Sequence, residues 1–174
     1  MAGFGSSPTL VREPVSPFRF QKNRPSLMSR KINLLLVENN PGDADLVAEM
    51  LRSNQSSCGL FHVSNGVEAM AFLRKEGDYN QSPSPDLILM DLSMPQMSGA
   101  EVLREIKTDA SLRMIPVIIM SSSRSNHDVE ELYSLQASAY IEKPIDLERF
   151  KQIICAIDAF WIQVVRYSLR GGNE

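Results

Sequence analysis

Four polar side chains stand at the ends of apolar segments in this chain. The acid Glu38 follows LLLV, the acid Asp91 ends DLILMD, the hydroxyl of Ser121 ends PVIIMS, and Lys143 follows AYIE. Such groups are unfavourable in a hydrophobic core, because burying an unpaired charge costs free energy. Two carboxylates, a hydroxyl and an ammonium can instead hold a phosphoryl group and its metal ion. Their residue types therefore point to phosphoryl chemistry, provided that the fold brings them together.

Strand and helix patterns alternate from residue 31 onward. Five short apolar segments predict buried parallel strands; they lie at residues 32–37, 60–64, 86–91, 116–121 and 138–142. Helical apolar stripes lie between them, and capping residues mark where the helices begin; these are Asn40, Asn65, Ser98 and Asp146. The alternation predicts an α/β fold with a single doubly wound five-stranded parallel sheet, a (βα)5 arrangement. In such a sheet the carboxyl ends of the strands meet at one edge, where ligands bind.

The same segments closely resemble the receiver domain of two-component response regulators. The resemblance rests on LLLVEN at the first strand, LILMDLSMPQMSG around Asp91, IPVIIMSSS containing Ser121, and AYIEKP carrying Lys143. These motifs stand in the family's order over roughly residues 31–160, and they imply its flavodoxin-like fold. The connection KEGDYNQSPSPD and the end AIDAFWIQVVRYSLR narrow the likeness to the small response regulators of bacterial phytochrome histidine kinases.

The resemblance implies a role for each residue of the site. Asp91 is expected to accept a phosphoryl group from a histidine kinase, with Lys143 paired to a phosphoryl oxygen. Ser121 is expected to hydrogen-bond another oxygen while Tyr140 turns inward, and this two-state movement is the output. The expected Mg²⁺ ligands are Glu38, Asn39, Asp91 and the backbone carbonyl of Ser93. No separate enzyme activity is implied beyond self-directed phosphoryl transfer and autodephosphorylation.

Asn39 departs from the family pattern, which has a second acid at this position. The substitution removes one formal negative charge, so weaker magnesium attraction is expected. Asp43 and Asp45 follow nearby, but their position predicts a helix cap and a solvated face rather than replacement ligands. A degenerate receiver that acts as a phosphorylation-independent binding module is the alternative that Asn39 favours. A phosphatase with an acid two residues after its nucleophile is a third interpretation, which Ser93 argues against.

The ends of the chain differ from the middle. Residues 1–31 contain six basic residues, one acid and several prolines and serines, which predicts a disordered basic tail over 1–30. The receiver is assigned to 31–160 and a helical extension to 161–174. An apolar stripe at this end predicts a homodimer through the final helix; its residues are Phe160, Trp161, Val164, Val165 and Leu169. A helix folded back on its own domain is the alternative. Cys58 and Cys155 form no metal or disulfide pattern.

The predicted partners are proteins rather than nucleic acid or membrane. The apolar runs are strand-sized and shorter than a membrane span, and the residues after Trp161 are too few for a DNA-binding unit. We therefore expect a stand-alone cytoplasmic response regulator. Its expected partners are a histidine kinase, of phytochrome type, and a histidine phosphotransfer protein.

Overall fold

A computed structural model describes residues 31–165 and 167, and it has the predicted sheet. Five parallel strands lie in the order β2-β1-β3-β4-β5. Their bounds are β1 Ile32–Val37, β2 Cys58–Val63, β3 Leu87–Asp91, β4 Val117–Ser121 and β5 Ala139–Glu142. The predicted doubly wound (βα)5 arrangement is therefore confirmed. The second strand begins earlier than expected, at Cys58.

Five helices follow the strands in turn. They are α1 Pro41–Ser53, α2 Gly66–Arg74, α3 Gly99–Thr108, α4 Asn126–Ser134 and α5 Leu147–Ile157. The four predicted capping residues each accept a backbone N–H in the first turn that follows them. Ser98 and Glu101 complete the expected capping box at the start of α3. These helices begin where the sequence places them because each N-terminus is satisfied by a local side chain.

The sheet separates two apolar layers because successive strand residues point to opposite faces. Leu35, Ile88 and Ile119 belong to the layer beneath α2 and α3, whereas Leu36 and Leu89 belong to the layer beneath α1 and α5. All the residues of β3 and β4 are buried, as expected for central parallel strands. The middle of the sheet is therefore a rigid support for the polar residues at its carboxyl edge.

The end of the last helix differs from the prediction. We expected the apolar stretch from Phe160 to continue the helix beyond the sheet. Instead α5 is followed by a π-helical turn at Asp158–Ile162, and the helix ends there. Ile162 is buried and Trp161 packs on the α1/α5 layer, so these two apolar residues are covered by their own domain. This part of the chain follows the fold-back alternative.

The predicted basic tail at 1–30 lies outside the described residues, as does most of the extension after residue 165. Within the described ranges, every helix is too short or too polar to cross a membrane. The outer strand β5 has a side-chain contact on its free edge, where the Tyr140 N–H donates to the Tyr133 hydroxyl at 3.4 Å. This contact covers part of the unpaired backbone of an edge strand.

Candidate functional site

The ammonium of Lys143 lies between the two acids that the sequence placed at this edge. Its Nζ is 2.6 Å from Glu38 Oε2 and 2.7 Å from Asp91 Oδ2. Glu38 follows β1, Asp91 is the last residue of β3, and Lys143 follows β5, so three strand ends deliver one cluster. The side chain of Glu38 is 1% exposed and that of Lys143 is 9% exposed. The structure therefore brings these three residues together at one edge of the sheet.

In each of the two carboxylates, one oxygen accepts a backbone N–H and the other faces Lys143. Glu38 Oε1 accepts the Asn40 N–H at 2.9 Å, and Asp91 Oδ1 accepts the Ser93 N–H at 3.0 Å. Both backbone donors belong to the loops that leave the strands. The remaining oxygens, Oε2 and Oδ2, therefore face the same positive charge with their carboxylates fixed in orientation.

Burial and pairing act in opposite directions on these groups. Burial raises the pKa of Glu38 above its ordinary value, although hydrogen bonds from Lys143 and the Asn40 backbone pull it down. Burial by itself lowers the pKa of Lys143, but the hydrogen bonds to Asp91 and Glu38 outweigh it and raise that pKa. Lys143 therefore stays protonated at neutral pH and acts as a fixed positive charge.

The donor set suits a divalent cation as well as an ammonium. Two carboxylate oxygens, from Glu38 and Asp91, already converge on a single cation, and hard oxygen ligands are those that Mg²⁺, Ca²⁺ and Mn²⁺ accept. Among the described residues, no group of three His, Cys, Asp or Glu side chains is arranged to hold a metal ion. A cation here would need further oxygens, such as a backbone carbonyl and water.

The family model for the response regulator receiver domain matches residues 34–155 of this chain. The chain belongs to this family. Among its relatives is the response regulator Rcp1 of Synechocystis sp. strain PCC 6803, which is 38% identical over 132 residues, covering 76% of this chain and 90% of Rcp1. The receiver fold and the likeness to phytochrome response regulators, both expected from the motifs, are confirmed.

Two solved structures resemble this receiver over most of its length. One is the Mn²⁺-bound form of Rcp1, with a TM-score of 0.76 and 36% identity over 79% of this chain and 99% of that one. The other is the phosphorylated cyanobacterial phytochrome response regulator RcpA, with a TM-score of 0.76 and 38% identity over the same shares. Neither comparison supports the phosphorylation-independent alternative.

Ser121 and Tyr140 of the receiver meet at one residue that the sequence analysis did not single out. The buried Ser121 Oγ accepts the Ser123 N–H at 3.1 Å, and the Tyr140 hydroxyl donates to the Ser123 carbonyl at 2.7 Å. The Tyr140 ring also packs against the α2/α3 apolar layer. Ser123 Oγ donates to Asp128 Oδ2 at 2.5 Å, which links the pair to the first turn of α4.

Two of the predicted metal ligands lie near the cluster without joining it. The side chain of Asn39 is exposed, and Ser93 contributes its backbone N–H to Asp91.

Another contact to Glu38 comes from β2, where the His62 Nε2–H donates to the Glu38 carbonyl at 2.8 Å. Sequence reasoning could not find this contact, because it depends on the register of two neighbouring strands.

Asp43 has a contact that the sequence did not predict. It lies in the first turn of α1 as predicted, but its Oδ2 is also 3.1 Å from Lys143 Nζ, so it belongs to the charged cluster. Asp45 is exposed, as expected for a solvated helix face. The difference arises because the first turn of α1 lies close to the loop after β5, so Lys143 of that loop reaches Asp43.

Proposed function

We propose that this receiver accepts a phosphoryl group on Asp91 from a phosphohistidine. Asp91 Oδ2 attacks phosphorus, the P–N bond to the imidazole breaks, and an acyl phosphate forms. The supporting observation is the 2.7 Å contact between that oxygen and Lys143, which places a permanent positive charge beside the incoming anion. Later attack by water on phosphorus returns the carboxylate and releases inorganic phosphate, so the signal limits itself.

The cofactor that we propose is Mg²⁺. Glu38 and Asp91 would hold it, with the Ser93 carbonyl and the Asn39 amide as further oxygen donors. When bound, the ion neutralises charge on the phosphoryl oxygens and draws them toward Asp91. The neutral Asn39 gives this chain one fewer charge next to Glu38 than an acid would, so we expect modest metal affinity.

Ser121 and Tyr140 are the proposed switch. The Ser121 hydroxyl now accepts the Ser123 N–H, and a phosphoryl oxygen on the neighbouring strand would compete for that hydroxyl. Because Tyr140 donates to the carbonyl of the same Ser123, movement of one side chain disturbs the contact of the other. The link from Ser123 to Asp128 then carries the change to α4.

Intact mass spectrometry after incubation with acetyl phosphate tests the phosphoacceptor. We expect a gain of one phosphoryl group that depends on Mg²⁺ and is lost in Asp91→Asn. Asp86→Asn is the matched control, because it removes the same charge at the opposite end of β3. No mass gain at high Mg²⁺ would reject the phosphorylation proposal.

The proposed donor is a histidine kinase of the phytochrome type, and a histidine phosphotransfer protein is a further proposed partner. Support comes from RcpA, which is described as a phytochrome response regulator and is 38% identical. A cytoplasmic location suits the proposal, since the kinase reaction uses ATP and both Cys58 and Cys155 are free thiols. Phosphotransfer from a panel of autophosphorylated kinases would identify the donor by its transfer rate.

We also propose that the receiver forms a homodimer through the end of its final helix. Phe160 is 54% exposed and Val164 is also exposed, so an apolar patch remains although Trp161 packs inward. Truncation would remove the buried Ile162, so point substitution is the better test. Phe160→Asp with Val164→Asp should halve the particle mass in light scattering, and an unchanged mass would reject the dimer.

A further inference from the structure

Lys143 makes three ion pairs, and the third comes from an acid outside the family motif. An ammonium has three N–H donors, and the three acceptors are Glu38 Oε2 at 2.6 Å, Asp91 Oδ2 at 2.7 Å and Asp43 Oδ2 at 3.1 Å. The ammonium is therefore fully paired. A cation that binds Glu38 Oε2 or Asp91 Oδ2 would therefore share an oxygen that the ammonium already uses.

The three acids differ in how freely they can hold charge. Glu38 and Asp91 are buried, whereas 34% of the Asp43 side chain is exposed to solvent. Asp43 also lies in the first turn of α1, where the helix dipole stabilises a carboxylate. Asp43 is therefore the most solvated of the three carboxylates, whereas Glu38 and Asp91 have little water to offset their charge.

A divalent cation at Glu38 and Asp91 would compete with Lys143 for the same two oxygens. A lysine that is 9% exposed cannot simply give up its partners, because an unpaired buried charge is strongly destabilising. We infer that Asp43 is a positioning residue that keeps Lys143 paired while Glu38 and Asp91 take the cation. This inference rests on the proposed function. Asp43 also supplies part of the negative charge that the amide at Asn39 does not.

The test compares two single substitutions on the same helix. Asp43→Asn removes the contact with Lys143, whereas Asp45→Asn removes the same charge from an exposed position. Mn²⁺ binding, measured from the EPR signal of free ion, reports affinity without phosphorylation. We expect Asp43→Asn to raise the Kd about three- to tenfold, since it loses a nearby charge and leaves Lys143 bound to the other acids. Asp45→Asn should change the Kd less than about twofold, because exposed charges are screened.

A second measurement follows the lysine itself. The ammonium of Lys143 should give a protected signal in proton–nitrogen NMR spectra because its protons are hydrogen-bonded and shielded from water. With Mg²⁺ added, that signal should persist in the wild-type protein and disappear in Asp43→Asn. A merely structural role for Asp43 would not produce this metal-dependent difference.

Three results would overturn the inference. They are an unchanged Kd in Asp43→Asn, an equal rise in Asp45→Asn, and a wild-type protein that binds no Mn²⁺. Acetyl phosphate labelling of the same samples separates the two proposals. If the wild-type protein is labelled but both variants have the same Kd, the proposal that Asp91 accepts the phosphoryl group holds. Only the role inferred for Asp43 is then rejected.

Discussion

Asp86 and Asp91 are both buried acids, and they lie at opposite ends of one strand. Asp86 precedes β3 and is tied to β1 by two backbone contacts: its N–H donates to the Asn33 carbonyl at 2.8 Å, and its Oδ2 accepts the Asn33 N–H at 2.9 Å. Asp91 has one backbone donor and turns its other oxygen to Lys143. The first carboxylate joins two strands, while the second is kept in reach of a cation.

This difference shows how the same side chain can serve structure or chemistry. At the amino edge of the sheet, an acid that accepts a neighbouring backbone N–H helps to fix the start of a strand. At the carboxyl edge, Glu38, Asp91 and Lys143 stabilise one another through two short, buried ion pairs. The predictions below test whether the two edges depend on their charges in these different ways.

Replacing Lys143 with methionine should have the largest effect. The change leaves Glu38 and Asp91 buried without their cation, so we expect unfolding free energy to fall by about 3 kcal/mol in urea titrations at pH 7 without metal. Added Mg²⁺ should restore part of this loss. A change below about 1 kcal/mol would show that the two acids are solvated well enough to stand alone.

The same variant should have a characteristic pH dependence. Burial already raises the pKa of Glu38, and removing Lys143 removes the hydrogen bond that lowers it. An acid whose folded pKa lies above its unfolded value of about 4.3 binds more protons in the folded state, so stability falls as pH rises through that range. Lys143→Met should therefore lose more stability between pH 4 and 7 than the wild-type protein, in parallel urea titrations.

The next largest effect should come from Gly99→Ala. A Cβ at Gly99 would lie 2.5 Å from the Asp91 carbonyl oxygen and 2.9 Å from Leu92 Cα, which are backbone atoms that cannot turn aside. We expect a loss of about 2 kcal/mol and slower acetyl phosphate labelling, because the backbone of Asp91 must shift. Gly42→Ala is the control, since its Cβ meets only the Asn40 side chain at 3.2 Å. Equal behaviour of the two variants would contradict the close fit at Gly99.

Asp86→Ala tests the opposite edge. It leaves the Asn33 N–H without the carboxylate that accepts it, so we expect a loss of about 1 kcal/mol in thermal unfolding. Labelling by acetyl phosphate should match the wild-type rate. Asp91→Ala, in contrast, should abolish labelling. Slower labelling in Asp86→Ala would mean that the two edges are not independent.

The smallest effect should come from the surface pair between α3 and α4. Arg104 Nη2 lies 3.4 Å from Glu131 Oε1, and both side chains are well exposed. Arg104→Gln should change unfolding free energy by less than about 0.5 kcal/mol, since water and salt screen such pairs. A larger change would show that ion pairs at the surface matter as much here as the buried cluster.

Much of the fold could be predicted because its signals are local. Four helices begin at a residue whose side chain accepts a backbone N–H from the next few residues, so each start can be recognised from a short stretch of sequence. These residues are Asn40, Asn65, Ser98 and Asp146. The site residues at strand ends could be predicted because parallel strands bring their carboxyl ends to one edge. Glu38, Asp91 and Lys143 followed from that rule together with the family motifs.

The misses depend on distant packing. An acid such as Asp43 is expected in a first helical turn on local grounds alone. Its contact with Lys143 depends on the loop after β5, which is far away in sequence. The end of the last helix could not be predicted either. Its apolar stripe is compatible with a longer helix, but Trp161 and Ile162 pack on the α1/α5 layer instead. Contacts between elements far apart in sequence decided both cases.

The tyrosine on the free edge of β5 has a consequence for behaviour at high concentration. An unpaired edge strand offers its backbone to strands from other molecules, which leads to sheet-to-sheet association. Here β5 has four residues, and the Tyr133 hydroxyl from α4 accepts the Tyr140 N–H. A short strand with an occupied donor is a poor template for strand addition. Partners can therefore meet this part of the receiver through side chains without the sheet growing into an aggregate.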